Sequence, residues 1–310
     1  MTTADLMVAL PASVRLEAGR GGLPVLRVDG PAARAEIYLH GATVTDWTPR
    51  GRESVLWLSS ASRFTRDAAI RGGVPICFPW FGARPGHPKA PSHGFARLSE
   101  WSLVGAEDDG QDVMVHLRLT DNDATGASAW PHPFEAVYTV VVGSRLSLEL
   151  TVSNRGYDSL VFDEALHTYL KVRDIRATQV SGLEGRPFYD CLAGPEPAGG
   201  EPDPVRFSAA TDRIYLDTTA TTTVVDPIAD RSILVAKGGS EATVVWNPWV
   251  DKAADLSDFG DDEWRSMVCV EVGNLREAAV HLVPGGSHTL SATFELSPSR
   301  RTLPNRSTTS

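Results

Sequence analysis

The sequence lacks the features of a membrane-spanning or disulfide-stabilised protein. It has no run of about 18 apolar residues, which a helix needs to cross a bilayer, and its start, MTTADLMVALP, has no basic region like that of a signal peptide. Its three cysteines, Cys77, Cys191 and Cys269, lie far apart and lack the spacing of metal ligands. We therefore expect a cytoplasmic protein with free thiols.

An excess of positive charge is also missing. Lysine and arginine number 29 against 39 aspartates and glutamates, so the net charge is −10. Binding to nucleic acid or to an anionic membrane without sequence specificity needs a basic face, and we expect neither partner. The composition, 42% hydrophobic and 22% charged, is that of an ordinary globular protein. We expect a monomer or a weak dimer.

Helical periodicity is scarce, and alternation with a period of two residues takes its place. The segments DVMVHLRLT (112–120), RLSLELTVS (145–153) and SHTLSATFEL (287–296) alternate apolar and polar residues, as half-buried strands do. Further strand-like runs occupy 34–39, 54–58, 135–142, 241–246, 266–272 and 278–283. Many short strands separated by turn residues predict an all-β fold, an antiparallel sandwich or barrel with few short helices. The Pro- and Gly-rich stretch 193–204 is predicted to be a surface loop, and the polar tail 299–310 to be disordered.

Two segments supply arginines that could meet at one place. RGGVPICFPWFG (71–82) carries Arg71 in a backbone that its prolines exclude from a helix, and SHGFAR (92–97) ends at Arg97. Two guanidiniums that converge would repel unless an anion lay between them, and arginine matches phosphate well. The alternative is a pair of unrelated surface salt bridges.

Two strand-like segments carry groups suited to proton transfer. In EALHTYL (164–170), His167 shares a strand face with Ala165 and Tyr169; it is either a core histidine or a general acid or base. In SMVCVEVGN (266–274), Glu271 shares a face with Cys269; it either forms a salt bridge or lies in a cleft. Asp212, in TDRIYLDT (211–218), either caps a turn or accepts hydrogen bonds from hydroxyls.

Taken in order, these segments resemble the glucose-6-phosphate 1-epimerase family, within the aldose 1-epimerase, or galactose mutarotase-like, superfamily. The other segments that carry the resemblance are GLEGRPFYD (182–190) and WNPWVDKAADLSDFGDDEW (246–264). The resemblance implies a large antiparallel β-sandwich in one domain, 22–298, after an N-terminal extension, 1–21. It also implies interconversion of the α and β anomers of a hexose 6-phosphate, glucose 6-phosphate above all, with no metal or other cofactor.

The resemblance also assigns roles to single residues. His167 and Glu271 match the catalytic histidine and glutamate, with Glu271 as the base at the C1 hydroxyl and His167 as the acid at the ring oxygen. Substrate-binding positions match Arg71, Ser92, His93, Arg97 and Asp212. Ser92 replaces the family's usual glutamine, and Val272 follows Glu271 where the family often has proline.

Three other functions stay open at this point. A mutarotase for unphosphorylated aldoses would need the same acid and base without the phosphate contacts. A non-catalytic carbohydrate-binding protein would need neither acid nor base. A glycoside hydrolase would need a second carboxylate beside Glu271, for which Asp212 is the candidate.

Overall fold

The structure, a computed structural model, describes residues 9–194 and 196–298, and strands are its main regular secondary structure. The first half contains β1 (Val14–Ala18), β2 (Pro24–Asp29), β3 (Ala33–Tyr38), β4 (Val44–Pro49), β5 (Ile76–Cys77), β6 (Ser102–Asp108), β7 (Val113–Thr120), β8 (Phe134–Val142), β9 (Arg145–Asn154), β10 (Leu160–Phe162), β11 (Glu164–Leu166) and β12 (Tyr169–Lys171). The second half contains β13 (Gln179–Ser181), β14 (Phe188–Asp190), β15 (Pro197–Ala198), β16 (Val205–Arg206), β17 (Thr211–Tyr215), β18 (Thr222–Asp226), β19 (Arg231–Gly238), β20 (Ala242–Asn247), β21 (Met267–Asn274), β22 (Val280–Leu282) and β23 (Ser287–Pro298). The described ranges hold two short α-helices, α1 (Asp123–Gly126) and α2 (Trp249–Asp255).

Two large antiparallel sheets dominate the architecture, and the predicted all-β fold is confirmed. One has nine strands in the order β16-β13-β18-β19-β23-β9-β8-β7-β6. The other has eight, in the order β15-β14-β17-β20-β21-β11-β5, with β12 also paired to β21. A four-stranded sheet, β1 to β4, and the pair β10-β22 complete the sheets among the described residues.

The core lies between the faces that these sheets turn toward each other. On β9, Leu146, Leu148, Leu150 and Val152 are fully buried and belong to one apolar cluster with Val268, Val270 and Val272 of β21. Each buried leucine or valine contributes about 1.5–3 kcal/mol through removal of apolar area from water. Strand alternation therefore turns the odd-numbered residues of β21, among them Cys269 and Glu271, to the opposite face of the eight-stranded sheet.

That opposite face is also covered, which explains why every residue of β21 is buried. A smaller apolar cluster lies there, containing Cys77, Ala165, Ile214, Val244 and Leu275. Segments of the chain that follow no regular strand cover this face, and the polar residues of interest lie among them.

Three segments differ from the sequence-based expectations. Residues 54–58, predicted as a strand, form only isolated bridges, Leu56 with Leu170 and Leu58 with Gly72. The reason is that the backbone here hydrogen-bonds first to residues 169–171 and then to residues 71–73. The predicted loop 193–204 contains β15, which pairs with β14. Strand β1 lies within the predicted extension 1–21 and pairs with β2. The predicted disordered tail 299–310 lies outside the described residues.

No helix in the described ranges is long and apolar enough to cross a membrane.

The two glycines of RGGVPICFPWFG allow a close approach between backbone segments. Gly73 has φ +65°, and a Cβ there would lie 2.1 Å from the carbonyl oxygen of Val44. Gly72 has φ +119°, and its Cβ would lie 2.6 Å from the carbonyl oxygen of Trp57. The close approach is thus to the β4 region and to residues 57–59, and it holds the segment that leads into β5.

Replacing Gly73 by alanine should cost far more stability than the same change at Gly22. Gly22 also has a positive φ, +75°, but its Cβ would meet no atom within 4 Å. Gly22→Ala should therefore lose only the about 1–2 kcal/mol that a left-handed backbone costs an L-residue, whereas Gly73→Ala must also displace backbone. Urea unfolding of both variants measures the two losses, and equal losses would contradict the role given to Gly73.

Candidate active site

His167 and Glu271 face each other across two neighbouring strands. Strand β11 pairs Leu166 with Val272, and β12 pairs Tyr169 with Cys269, both against β21. The register is continuous across the gap between β11 and β12, so His167 falls opposite Glu271. Nε2 of His167 lies 3.5 Å from Oε1 of Glu271, and both side chains are buried.

The segment EALHTYL is therefore two short strands rather than the single strand that its pattern suggests. The backbone N–H of His167 donates to the carbonyl oxygen of Pro75, 2.9 Å away, which extends the pairing of β11 with β5 by one residue. On the other side, the carbonyl oxygen of Thr168 accepts from the N–H of Val270. His167 is thus held between β21 and the segment that begins at Arg71.

Aromatic rings fix the orientation of the His167 imidazole. It stacks on the ring of Tyr169, with centroids 4.8 Å apart and planes 8° apart. Trp246 lies on β20, opposite Cys269 of β21. Its ring contacts the rings of His167 and Tyr169 edge-on, with centroid distances of 6.2 Å and 6.1 Å. These contacts restrict the imidazole to one orientation facing Glu271.

Arg71 reaches this site already paired. Its guanidinium contacts the Asp258 carboxylate through Nε and Nη2, both at 3.2 Å, and its Nη1 donates to the hydroxyl of Tyr169 at 3.0 Å. Asp258 lies in the loop after α2 and was not foreseen from the sequence. The fork of donors on Arg71 is therefore aimed by two fixed acceptors, with its charge partly balanced by one of them.

Arg97 is held more loosely. Its Nη2 donates to the backbone carbonyl of Ser92 at 2.9 Å, and its buried Nε has no hydrogen-bond partner among the described residues. Ser92 contributes this backbone carbonyl, and the residue is exposed. The contact between its side chain and the substrate stays a prediction.

His93 lies beside the pair in a strained conformation. It has φ +61°, and its Nδ1 accepts from the N–H of Gly82, so the proton of the neutral ring belongs to Nε2. Its ring meets Phe81 edge-on at 4.6 Å and His167 at 5.5 Å. A non-glycine residue with positive φ is uncommon, and such residues cluster at functional sites.

Asp212 lies on β17, one residue after the strand begins. It is opposite Trp246, which is opposite Cys269 on β21. Asp212 therefore shares the site face with Glu271, and all seven predicted site residues lie on or around one face of the eight-stranded sheet.

Comparison with known proteins shows the family and the fold of the chain. Residues 24–295 match the family model for aldose 1-epimerase. The chain belongs to the aldose 1-epimerase family. It is 37% identical over 252 residues to a Salmonella typhimurium protein named "Putative glucose-6-phosphate 1-epimerase", covering 80% of this chain and 82% of that protein. It is 36% identical over 265 residues to a Cenchrus ciliaris protein of the same name, covering 81% and 78%.

A solved structure from the same family supports the fold. The crystal structure described as a "putative mutarotase (YeaD)" from Salmonella typhimurium superposes with a TM-score of 0.86 at 32% identity. The superposition covers 94% of this chain and 96% of that one.

In this aldose 1-epimerase family member, burial shifts the pKa values of the central pair in opposite directions. Burial lowers the pKa of His167 well below its usual value, with the nearby His93, Arg97 and Arg71 acting in the same direction. Burial raises the pKa of Glu271 well above its usual value, repulsion from Asp212 adds to this, and Arg97 opposes it. Burial and the two arginines lower the pKa of His93 to about 3, so its ring is neutral near pH 7.

Sequence reasoning missed three side chains that contact or adjoin the central pair. Tyr169 carries the ring that stacks on His167. Of the three tryptophans in 246–264, Trp246 is the one whose ring contacts those of His167 and Tyr169. Cys269 places its sulfur within 4.8 Å of the ligand atoms of His167 and Glu271. Tyr169 and Cys269 could have been inferred, since each lies two residues from a predicted catalytic residue and on its face. No sequence signal links Asp258 to Arg71.

Of the three thiols, Cys191 alone should react with a bulky disulfide reagent in the folded protein. Cys77 and Cys269 are buried, whereas Cys191 is exposed. The residue as a whole is exposed, but its thiol is partly covered. This partial burial, with help from Asp212, raises the pKa of Cys191 to about 11, so its reaction should accelerate as the pH rises toward that value. Ellman's reagent should titrate one thiol in buffer and three in denaturant. Cys191→Ser should abolish the native reaction, and a second reactive thiol in the folded state would contradict the burial of the other two.

Proposed function

We propose that this chain interconverts the α and β anomers of a hexose 6-phosphate, glucose 6-phosphate foremost. The observation that carries the proposal is the buried pair of His167 and Glu271, 3.5 Å apart, with two arginines close by. The names of the two relatives, which specify glucose 6-phosphate, support the choice of substrate. The partner is a small sugar phosphate, the setting the cytoplasm, and the chemistry needs only protein side chains.

Mutarotation requires one proton to leave the sugar and one to enter it. Glu271 takes the proton of the C1 hydroxyl as the bond between C1 and the ring oxygen breaks, and His167 donates a proton to the ring oxygen. The products are an open-chain aldehyde and its C5 hydroxyl. After rotation about C1–C2, the hydroxyl attacks the other face of the aldehyde, and both protons return to their starting groups.

The opposite pKa shifts bear on this scheme. Both shifts favour the neutral form of the group, which is a protonated carboxyl for Glu271 and an unprotonated imidazole base for His167. The reactive form has the same number of protons, with the proton moved from Oε1 of Glu271 to Nε2 of His167 across 3.5 Å. A negative charge stabilises the imidazolium and destabilises the carboxylate, so a bound phosphate would favour this transfer when it lies nearer to His167 than to Glu271.

Arg97 is the stronger candidate for the principal phosphate contact. Arg71 already forms an ion pair with Asp258. The guanidinium of Arg97 makes one hydrogen bond among the described residues, from Nη2 to the backbone carbonyl of Ser92. Its buried Nε–H is a donor without a partner in the described part of the chain, and such a donor is costly unless a ligand satisfies it. Neutral His93, with a proton on Nε2, supplies a further donor for a sugar oxygen.

Removing either member of the pair should stop catalysis without unfolding the protein. Glu271→Gln and His167→Asn should each slow anomer exchange of glucose 6-phosphate by about 10²–10⁴-fold, since each removes one proton-transfer group. NMR exchange spectroscopy measures the rate directly. His281→Asn, on an exposed position of β22, is the matched control and should keep the full rate. A near-normal rate in Glu271→Gln or His167→Asn would refute the assignment.

Replacing Arg97 should separate phosphorylated from unphosphorylated sugar. Arg97→Ala should lower kcat/KM for glucose 6-phosphate by about 10–100-fold, the equivalent of one hydrogen bond to a charged group, and change the value for glucose much less. Arg206→Ala, at an exposed position in β16, should change neither. Equal losses for both sugars would favour a mutarotase for unphosphorylated aldoses.

A further inference from the structure

Cys269 brings a third donor to the acid/base pair. It precedes Glu271 by two residues on β21, so both side chains leave the same face of the sheet, and His167 arrives from the gap between β11 and β12. The ligand atoms of these three buried residues all lie within 4.8 Å of one another. Imidazole nitrogen, thiolate sulfur and carboxylate oxygen are the donors that zinc prefers.

The spacing suits a tetrahedral ion. With bonds of about 2.0–2.3 Å, two donors on a tetrahedral zinc lie about 3.4 Å apart, and Nε2 of His167 is already 3.5 Å from Oε1 of Glu271. The ligand atoms lie within 4.8 Å of one another, so the sulfur needs to approach by no more than about 1.4 Å, which small changes of side-chain torsion angles can supply. Three protein donors leave the fourth position open, as in catalytic rather than structural zinc sites.

Two buried atoms bear on the affinity of an ion at this place. Oε2 of Glu271 and Nδ1 of His167 have no hydrogen-bond partner within the described residues. A buried carboxylate oxygen without a donor is unfavourable, and a cation beside Oε1 and Oε2 would relieve this. The missing partner at Nδ1 has the opposite effect, because a ligating histidine normally donates its second N–H to an acceptor.

We propose that His167, Cys269 and Glu271 form an inhibitory site for zinc and similar divalent ions. Binding releases the thiol proton of Cys269, and any proton held by the pair, to solvent; it forms three metal–ligand bonds and transfers no electron. The incomplete contact at Nδ1 and the nearby charges of Arg71 and Arg97 make the site weaker than a structural zinc site. The inhibition rests on the proposed function, because the ion occupies the lone pairs that accept and deliver the protons. The binding of the ion does not rest on that function.

Cobalt(II) tests the binding without any assay of activity. Titrating chelator-treated full-length protein with Co²⁺ should give a thiolate-to-cobalt charge-transfer band and the visible bands of a tetrahedral ion, and Zn²⁺ should displace both. Cys269→Ser and Cys269→Ala should lose the charge-transfer band and bind Zn²⁺ at least tenfold more weakly. Glu271→Gln should also bind more weakly, although its thiol is intact. A thermal melt of each variant confirms that it is folded.

Cys191→Ser is the matched control, because Cys191 is the exposed thiol most able to bind a metal adventitiously, and it should leave the spectrum unchanged. A charge-transfer band that disappears in Cys191→Ser and persists in Cys269→Ala would overturn the proposal, as would no uptake of Co²⁺ by the folded protein. In the anomer-exchange assay, Zn²⁺ should inhibit and chelator should restore the rate. If Co²⁺ binds through Cys269 but no sugar phosphate is interconverted, the metal site stands and the proposed function fails.

Discussion

The pairing register of β21 with β11 and β12 is the constraint on which the rest of the site depends. It places His167 opposite Glu271 on one face of the eight-stranded sheet. A shift of one residue in this register would turn the partner of Glu271 to the opposite face, because side chains alternate along a strand. The segment that begins at Arg71 supports the same register from the other side through the bond between His167 and Pro75. Its glycines are therefore part of the scaffold of the site.

The second determining factor is the removal of water from this pair. The core beneath β21 and the segments above it bury both side chains, and burial disfavours the charged form of each. A carboxyl and an imidazole in such a place therefore both favour their neutral forms. The unsatisfied atoms of Glu271, His167 and Arg97 are unfavourable for stability. Their presence is understandable if a ligand completes them, and the strained backbone of His93 fits the same view.

Substrate recognition and proton transfer are assigned to different parts of the fold. The arginines come from segments outside the regular strands, whereas the proposed acid/base pair, His167 and Glu271, is anchored in the sheet. Asp258 and Tyr169 aim Arg71 from two different directions, and a backbone carbonyl aims Arg97. Cys269 lies on the same strand face as Glu271, so metal binding and proton transfer would use the same atoms and exclude each other.

The sequence by itself determined the strands with clear alternation, such as β7, β9 and β23, and the likeness of its ordered motifs to one family. It also determined that Glu271 and Cys269 share a face, since this follows from a spacing of two residues. Only the tertiary structure decided that His167, 104 positions earlier in the chain, lies opposite Glu271, that 164–170 divides into two strands, and that Asp258 is the partner of Arg71. The physical reason is that alternation reports which face a residue takes within its own strand. Which strands become neighbours, and in what register, is set by the packing of the whole core.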